Sequence, residues 1–320
     1  MSRAHELRLI ARVAQMYHID GIRQADIAQT LRISQATISR MLKRAVTEDI
    51  VRTTIVAPLG TYGPLESVLR AHFNLPEVII VDSAEDRAAT IMPRIGEAAA
   101  HYLETTLQPD EVIGVSSFSE TIQRMVENIH PMRSSGAKYV VQTLGGRGNP
   151  AAQTHATQLT TRLAHLTGAV PHLLGAPGIA HSPEARQVWE RDPFLRETMA
   201  LFDQITLAFI GIGAIEPGRM LAGSGNVFSP QELVDLTLAG AVGNIGLRFI
   251  NAAGEVLETP LDDRVIGMTM AQLAKVDRVV ALAGGQDKTR AIQAALHSGL
   301  VDVLITDHFT ARRIMDLIQA

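Results

Sequence analysis

The sequence predicts an α/β protein with a small helical N-terminal unit, and two observations support this. Short apolar runs, from VIIV at 78–81 to VDVLI at 301–305, alternate with amphipathic helical stretches. A segment rich in glycine and proline, APLGTYGP at 57–64, separates this alternation from a mainly helical pattern before it. Continuous apolar strands separated by helices indicate a mostly parallel sheet covered on both faces. We therefore expect domains over residues 1–56 and 65–320, joined by a linker over 57–64.

The composition places the chain among globular proteins. Of its 320 residues, 46% are hydrophobic and 19% are charged, which is typical of a soluble domain. No apolar run reaches the roughly 18 residues of a membrane span. The charged start MSRAHELRLIARV lacks the apolar core of a signal peptide. Cysteine is absent, which excludes disulfides, thiol catalysis and thiolate metal sites. We expect a cytoplasmic protein with no membrane contact.

Charge is divided unevenly along the chain. Residues 1–52 contain nine lysines and arginines against five acids, whereas the whole chain has a net charge of −4. A basic end on an acidic remainder suits a protein that presents one end to a polyanion such as DNA. The alternative is an amphipathic helix whose basic face is simply solvated.

The segment RQADIAQTLRISQATISRMLKRA at 23–45 has the spacing of a helix-turn-helix. Ala28 is small where the second helix would cross the first, and Ile38 returns to the core ten residues later. Ser34 is the expected N-cap of the second helix. Arg32 occupies the turn position that often holds glycine, so we expect a left-handed conformation there, at a cost of about 1 kcal/mol.

The second helix, predicted over 35–46, would turn polar side chains outward. Its N-terminal half would meet base edges, while Arg40, Lys43 and Arg44 would meet phosphates. The predicted DNA-binding residues are Ser34, Gln35, Ala36, Thr37, Ser39, Arg40, Lys43 and Arg44. Residues 50–56, IVRTTIV, alternate like the strand of a small wing. The alternative is a three-helix cap with a solvated basic face.

Four predicted strands run into small or polar residues that open a helix. They are VIGVS (112–116), YVVQTL (139–144), ITLAFIGIG (205–213) and VVALA (279–283). The carboxyl ends of parallel strands form the ligand crevice of open α/β sheets, and helix N-termini there attract phosphate. The loop GGRGNP lacks the Lys-Ser/Thr of a P-loop and does not match G-x-G-x-x-G. One such loop is more often only a tight turn, but four at parallel strand ends favour a shared pocket.

Other chemistry is sparse in this sequence. Lys288, in the helix predicted after VVALA, is the best candidate for a countercharge to an anionic ligand, although an isolated lysine is more often a solvated surface residue. Eleven histidines show no metal-ligand spacing, and Ser224 lacks the nucleophile-elbow pattern. Four acids could serve as general bases but are interpreted as helix caps or acceptors for ligand hydroxyls, namely Asp262, Asp263, Asp287 and Asp307. The sequence therefore predicts no catalytic residue, no metal and no cofactor.

Five segments in a fixed order carry a family resemblance. They are IAQTLRISQATISRMLKRA, GAVGNIGLRFINAAGEV, LDDRVIGM, VVALAGGQDKTRAIQAAL and DVLITDHFTARRIM. With them, nearly the whole chain resembles the SorC-type family of sugar-sensing bacterial transcription regulators. The resemblance implies a winged helix-turn-helix head and a body like the glucosamine-phosphate isomerase/ribose-phosphate isomerase fold. It also implies a tetramer whose DNA affinity changes with a sugar or sugar-phosphate effector.

The resemblance also assigns effector-binding residues. They are Ser116, Ser117, Ser119, Glu120, Thr121, Gln142, Gly145, Gly146, Asn244, Asp262 and Lys288. Lys288 and the loop N–H groups would hold a phosphate. Asn244 stands where family members frequently have aspartate, so a charged contact to an effector hydroxyl would be missing. The serine-rich SSFSET at 116–121 resembles the branch that regulates polyol catabolism, including erythritol regulators.

We expect a DNA-binding regulator, a repressor rather than an activator, of a carbohydrate or polyol catabolic operon. Its partners would be double-stranded operator DNA, a sugar, polyol or sugar-phosphate effector, and other copies of the chain. Effector binding would change the placement of two heads in the oligomer, so that their spacing no longer matches the half-sites. The alternative is a sugar-phosphate isomerase or deaminase with a helical extension, which would not need the exposed face of SQATISRMLKR. A purely structural oligomerisation module would leave the four loops without a purpose.

Overall fold

A computed structural model describes residues 3–51, 60–132, 136–225 and 228–319. Contacts divide the chain into two compact units, Met1–Pro58, called the head, and Leu59–Ala320, called the body. This division falls inside the predicted linker, whose limits stay a prediction because residues 52–59 lie outside the described part. Most of the predicted wing strand over 50–56 lies outside it as well.

Three helices form the described part of the head: α1 (Arg3–His18), α2 (Gln24–Leu31) and α3 (Gln35–Thr47). Their apolar faces meet in one small core, as expected for amphipathic helices. The buried residues of this core are Ile10, Val13, Ala14, Ile27, Ala28, Ile38, Leu42 and Ala45. Ala28 and Ile38, which the sequence places at the crossing of α2 and α3, are both among them.

A three-residue turn joins α2 to α3. Arg32 has φ 58° and ψ 40°, so its predicted left-handed conformation is confirmed. The N–H of Ile33 donates to the carbonyl oxygen of Ala28 at 3.1 Å, which closes the end of α2. Ser34 Oγ accepts the N–H of Thr37 at 3.2 Å, which confirms the predicted N-cap of α3.

A nine-stranded sheet forms the centre of the described part of the body. Its strands are β1 (Glu77–Val81), β2 (Val112–Val115), β3 (Tyr139–Gln142), β4 (Val170–His172), β5 (Leu207–Gly213), β6 (Ala241–Ile245), β7 (Arg248–Asn251), β8 (Arg278–Leu282) and β9 (Val303–Asp307). Seven strands are parallel, in the order β1-β9-β8-β5-β2-β3-β4, and β6 and β7 form an antiparallel hairpin on β5. The predicted class, a mostly parallel α/β fold, is confirmed.

Three of these strands were not predicted from the sequence. β4 has three residues and contains Pro171, and proline is rare inside strands. The hairpin strands β6 and β7 contain Gly243, Asn244 and Arg248, so neither reads as a continuous apolar run. Strands held by hairpin pairing rather than by an apolar pattern give a weak sequence signal.

Helices cover both faces of the sheet. They are α4 (Gly63–Phe73), α5 (Ala88–Thr106), α6 (Glu120–Asn128), α7 (Pro150–Thr167), α8 (Pro183–Glu190), α9 (Pro193–Ala200), α10 (Arg219–Ser224), α11 (Pro230–Leu238), α12 (Met270–Leu273), α13 (Thr289–His297) and α14 (His308–Gln319). Two short helices, α8 and α9, follow each other closely because the chain breaks at Asp192. Asp192 Oδ1 accepts the N–H groups of Phe194 and Leu195, and Pro193 starts a new helix.

Side chains of the central strand β5 alternate between two cores. Leu207 and Phe209 pack with residues of α5 and α6 on one face of the sheet. Ala208, Ile210 and Ile212 pack with residues of α13 on the other face. Covered faces leave the strand ends as the natural place for a ligand. None of the helices in the described part of the chain combines the length and the hydropathy that crossing a bilayer requires.

Candidate functional site

The solvent-facing side of α3 carries most of the residues predicted to bind DNA. Six are exposed, namely Ser34, Gln35, Ala36, Ser39, Arg40 and Lys43. Thr37 and Arg44 are half-buried. Arg40 lies along its own helix, with Nε donating to the carbonyl oxygen of Ala36 at 3.3 Å and Nη2 donating to Thr37 Oγ1 at 3.3 Å. Both acceptors are neutral, so neither balances the positive charge of Arg40.

Arg44 differs from the other basic residues of α3. Its Nη2 donates to Glu48 Oε1 at 2.6 Å, and its Nη1 forms an ion pair with Glu6 of α1. Hydrogen bonds to Glu48 and Glu6 raise the pKa of the Arg44 guanidinium above its ordinary value. The structure therefore engages Arg44 between α1 and α3, and a phosphate would have to compete with two carboxylates for it.

The residues predicted to bind an effector lie mainly where neighbouring strands end. β8, β5, β2 and β3 are consecutive and parallel, so their carboxyl ends share one edge of the sheet. Ser116 and Ser117 follow β2, Gln142 ends β3, and Lys288 ends the 3₁₀ turn after β8. We call the loops after these four strands the strand-end site.

The loop between β2 and α6 brings serine side chains to the start of a helix. Ser119 is the N-cap of α6, and its Oγ accepts the N–H of Ile122 at 3.3 Å. Thr121 is buried in the first turn of the same helix. Ser117 is fully buried, and its Oγ has no hydrogen-bond partner among the described residues. An unused hydroxyl beside a helix N-terminus is suited to a polar or anionic ligand.

Lys288 and Glu120 are far apart in the sequence, but at this site they are near enough for their charges to interact. Lys288 is half-buried, and its burial lowers the pKa of the ammonium group, while the charges of Glu120 and Asp287 oppose that shift. A desolvated cation attracts an anion more strongly than an exposed one does. The pair therefore offers a cation for an anionic group and a carboxylate that can accept hydroxyl hydrogens.

Two glycines of β5 make room for predicted site residues. A Cβ atom at Gly211 would lie 2.9 Å from Ser119 Oγ, and one at Gly213 would lie 2.7 Å from Asn244 Nδ2. Asn244 Nδ2 donates to the carbonyl oxygen of Ala214 at 2.7 Å, so the amide joins the β6–β7 hairpin to the end of β5. Any side chain at either glycine would displace Ser119 or Asn244.

Gln142, Gly145 and Gly146 shape the loop that follows β3. Gln142 is buried, and its Nε2 donates to the carbonyl oxygen of Leu144 at 2.8 Å while its Oε1 accepts the N–H of Leu174 at 3.4 Å. A Cβ atom at Gly146 would clash with Gln142, and one at Gly145 would clash with the backbone of Pro177. All three residues are thus used in packing the loop itself.

Asp262 is engaged within the protein rather than left open toward a ligand. Its Oδ1 accepts Nη1 of the buried Arg248 at 2.8 Å, and its Oδ2 accepts the N–H and the hydroxyl of Thr259 at 2.9 and 3.0 Å. Both carboxylate oxygens therefore have partners, and an effector hydroxyl would have to share one of them.

A cavity of about 30 Å³ opens among the same strand ends and includes residues that the sequence reasoning missed. Its lining consists of Ser116, Thr143, Ile210, Gly211, Ile245, Gly246, Met268, Thr269, Met270 and Leu273. Thr143 follows Gln142 directly, and Thr269 starts a capping box with Gln272. The T-x-x-Q pattern predicts a helix start, but only the fold brings that helix to the ends of β2 and β5.

A helical unit with an exposed basic face, joined to an α/β body with polar strand ends, is the organisation of a ligand-responsive transcriptional regulator. The chain belongs to the family described as "Putative sugar-binding domain", whose model matches residues 61–316. The deoxyribonucleoside regulator of Bacillus subtilis (strain 168) is 27% identical over 309 residues, which are 97% of this chain and 97% of that protein.

Two solved structures extend this similarity. The sugar-binding domain of transcriptional regulator DeoR from Pseudomonas syringae pv. tomato is 38% identical, with a TM-score of 0.63 over 80% of this chain and 99% of that one. The full-length sorbitol operon regulator SorC from Klebsiella pneumoniae is 27% identical, with a TM-score of 0.72 over 97% of this chain and 98% of that one. The predicted SorC-type family and the regulator class are confirmed. These relatives are named regulators, so the isomerase alternative gains no support.

Proposed function

We propose that this regulator is an effector-responsive repressor of a carbohydrate or polyol catabolic operon. It would act in the cytoplasm as a homo-oligomer, with a tetramer as the expected state. The observation that supports this most is the presence of two separate chemistries on one chain. The head exposes Arg40 and Lys43 on α3, whereas the body holds Lys288 opposite Glu120 at the strand ends. An enzyme would need only the second of these.

In the head, α3 is the element proposed to contact operator DNA. Gln35, Ala36 and Ser39 are exposed at its N-terminal half, where short side chains can reach base edges. Arg40 and Lys43 would bind phosphates. We assign Arg44 a supporting role, because its ion pair with Glu6 joins α3 to α1, while its pair with Glu48 lies at the end of α3 itself.

The DNA assignment is tested with full-length protein and an operator selected from a random-sequence pool. Arg40→Ala/Lys43→Ala removes two phosphate contacts, so the slope of log affinity against log salt should decrease by about 2. Arg162→Ala, which changes an exposed arginine of α7, is the matched control and should leave the slope unchanged. An unchanged slope in the double variant would mean that α3 does not face the phosphates.

In the body, the strand-end site is proposed to bind a small sugar, polyol or sugar phosphate. Lys288, the hydroxyl of Ser117 and the N-terminus of α6 would hold an anionic group, and Glu120 would accept ligand hydroxyls. The neighbouring cavity of about 30 Å³ is far smaller than a usual ligand pocket, so we expect the surrounding loops to move if the effector extends into it. Leu247, in the hairpin turn beside the cavity, has φ 66°, an unfavourable conformation for a bulky residue.

The effector assignment is tested by a thermal-shift screen of sugars, polyols and their phosphates, because a ligand selective for the folded state raises the melting temperature. Lys288→Met should then weaken binding of a phosphorylated hit far more than binding of its dephosphorylated analogue. Lys275→Met, at a solvent-exposed lysine paired with Asp203, is the control. Equal losses for both ligands in Lys288→Met would exclude a phosphate-binding role for Lys288.

A further inference from the structure

The loop between β8 and the turn of Lys288 is built around two glycines. Gly285 has φ 103° and ψ 153°, a conformation that other residues rarely adopt. A Cβ atom at Gly284 would clash with the carboxylate of Asp307, the last residue of β9. The shape of this loop is therefore matched to the end of a neighbouring strand.

Asp307 and Thr310 hold the N–H of Gly285 from one side. Both side chains are fully buried. The Thr310 hydroxyl accepts the N–H of Gly285 at 2.7 Å and donates to Asp307 Oδ2 at 2.6 Å, and Asp307 Oδ2 also accepts the N–H of Gly285 at 3.3 Å. Asp307 Oδ1 accepts the N–H of Thr310 at 3.0 Å. A buried polar group destabilises the fold unless it is hydrogen-bonded, so this arrangement strongly favours the one loop position in which these bonds form.

A second set of contacts holds the other side of Gly285. Thr289 Oγ1 donates to the carbonyl oxygen of Gly285 at 3.5 Å and accepts Arg313 Nε at 3.2 Å. Arg313 Nη2 donates to Thr310 Oγ1 at 3.3 Å and to Asp86 Oδ1 at 3.2 Å. Gly285 is thus held at its N–H and at its carbonyl group by one connected network.

The position of Gly285 is passed directly to Lys288. The N–H of Lys288 donates to the carbonyl oxygen of Gly285 at 3.2 Å, which closes the 3₁₀ turn between them. We propose that Asp307 and Thr310 are positioning residues, which fix Gly285 and thereby set where the Lys288 ammonium group lies opposite Glu120. This proposal rests on the proposed function, in which Lys288 holds the anionic group of the effector.

The test observes Lys288 itself in the full-length protein without any ligand. The chain contains only four lysines, Lys43, Lys138, Lys275 and Lys288. Reductive ¹³C-methylation keeps the charge of the lysines and gives each a separate NMR signal. The signal that is missing from Lys288→Met is that of Lys288. Thr310→Val removes the hydroxyl that bridges Gly285 and Asp307. The matched control is Thr306→Val, because Thr306 is equally buried on β9 and its hydroxyl has no partner among the described residues.

In Thr310→Val, the Lys288 signal should move, and its pKa should rise towards the ordinary value of a lysine as the released ammonium group becomes hydrated. Thr306→Val should change neither, and Thr310→Ser, which restores the hydroxyl, should return both to the wild-type values. Unchanged Lys138 and Lys275 signals show that the body is folded. If Thr310→Val does not fold, Thr289→Val should give a smaller change of the same sign.

A folded Thr310→Val protein with a lower melting temperature but wild-type Lys288 signal and pKa would overturn the proposal, because Thr310 would then be merely structural. The readout is independent of ligand binding. If the Lys288 signal of the wild-type protein does not move when any sugar phosphate found by thermal shift is added, the proposed function is contradicted. The positioning role of Thr310 and Asp307 would be unaffected by that result.

Discussion

The head and the body place their charged side chains in opposite surroundings. On α3, Arg40 and Lys43 are exposed to solvent, and the described part of the head has a core of eight buried residues. In the body, Arg248 and Asp307 are buried and hydrogen-bonded to other loops, and Lys288 is half-buried within the electrostatic influence of Glu120. The head thus keeps its charge available for a large polyanion, whereas the body uses charge to fix the loops around a small site.

The largest difference should appear when one core residue is removed from each unit. Ile38→Ala empties a fully buried position of α3, and Ile113→Ala does the same in β2. Each should lower the free energy of unfolding of its own unit by about 3–4 kcal/mol. The small head core cannot absorb this loss, so Ile38→Ala should abolish operator binding, as measured by fluorescence anisotropy, while the body still binds its effector.

The Ile113→Ala protein is the reference for that experiment, since it should keep operator binding at temperatures at which its body remains folded. Full operator affinity in a folded Ile38→Ala protein would show that the head core does not set the position of α3.

Removing one partner of the buried ion pair should have the next largest effect. Asp262→Ala leaves the guanidinium of Arg248, which is 6% exposed, without its carboxylate. An uncompensated buried charge costs about 3 kcal/mol, and urea unfolding of the body measures the loss. Adding Arg248→Met should recover part of the stability. A loss below about 1 kcal/mol in Asp262→Ala would mean that water already solvates this pair.

A smaller effect should depend on pH. Burial lowers the pKa of Lys288 in the folded state below the ordinary 10.5. Between the folded pKa and 10.5 the unfolded chain binds more protons, so folding stability due to this residue rises with pH in that window. Lys288→Met should therefore be more stable than wild type at neutral pH, and the difference should shrink towards pH 10.5. A difference that does not change with pH would show that Lys288 is fully hydrated.

The smallest effect concerns the turn of the head. Arg32 has φ 58°, which glycine adopts without strain. Arg32→Gly should raise the free energy of unfolding of the head by about 0.5–1 kcal/mol, because relief of strain exceeds the added entropy of the unfolded chain. Arg32→Ala, which keeps the strain, should give no gain in the same thermal melt, and a gain of equal size would point to charge rather than conformation.

The sequence allowed more to be predicted for the head than for the body. Local rules were enough for the Ser34 cap, the left-handed Arg32 and the exposed face of α3, because these depend on residues within one or two turns. Continuous apolar runs likewise predicted every parallel strand except β4. The electrostatic influence of Glu120 on Lys288 and the ion pair of Asp262 with Arg248 could not be predicted, because both depend on how separate segments pack in the fold. The ion pair of Arg44 with Glu6 could not be predicted either, because Glu6 lies on a different helix. From the sequence alone, Arg44 was therefore predicted only as a phosphate ligand.

One measurement addresses the central claim that DNA binding and effector sensing use separate groups of one chain. Operator affinity of wild type and Lys288→Met is measured with and without a phosphorylated effector found by thermal shift. We expect equal affinities without effector, at least a tenfold loss of affinity when effector is added to wild type, equivalent to about 1.4 kcal/mol, and no loss in Lys288→Met. Weak operator binding by Lys288→Met in the absence of effector would contradict this claim. So would an effector response in Lys288→Met as large as that of wild type.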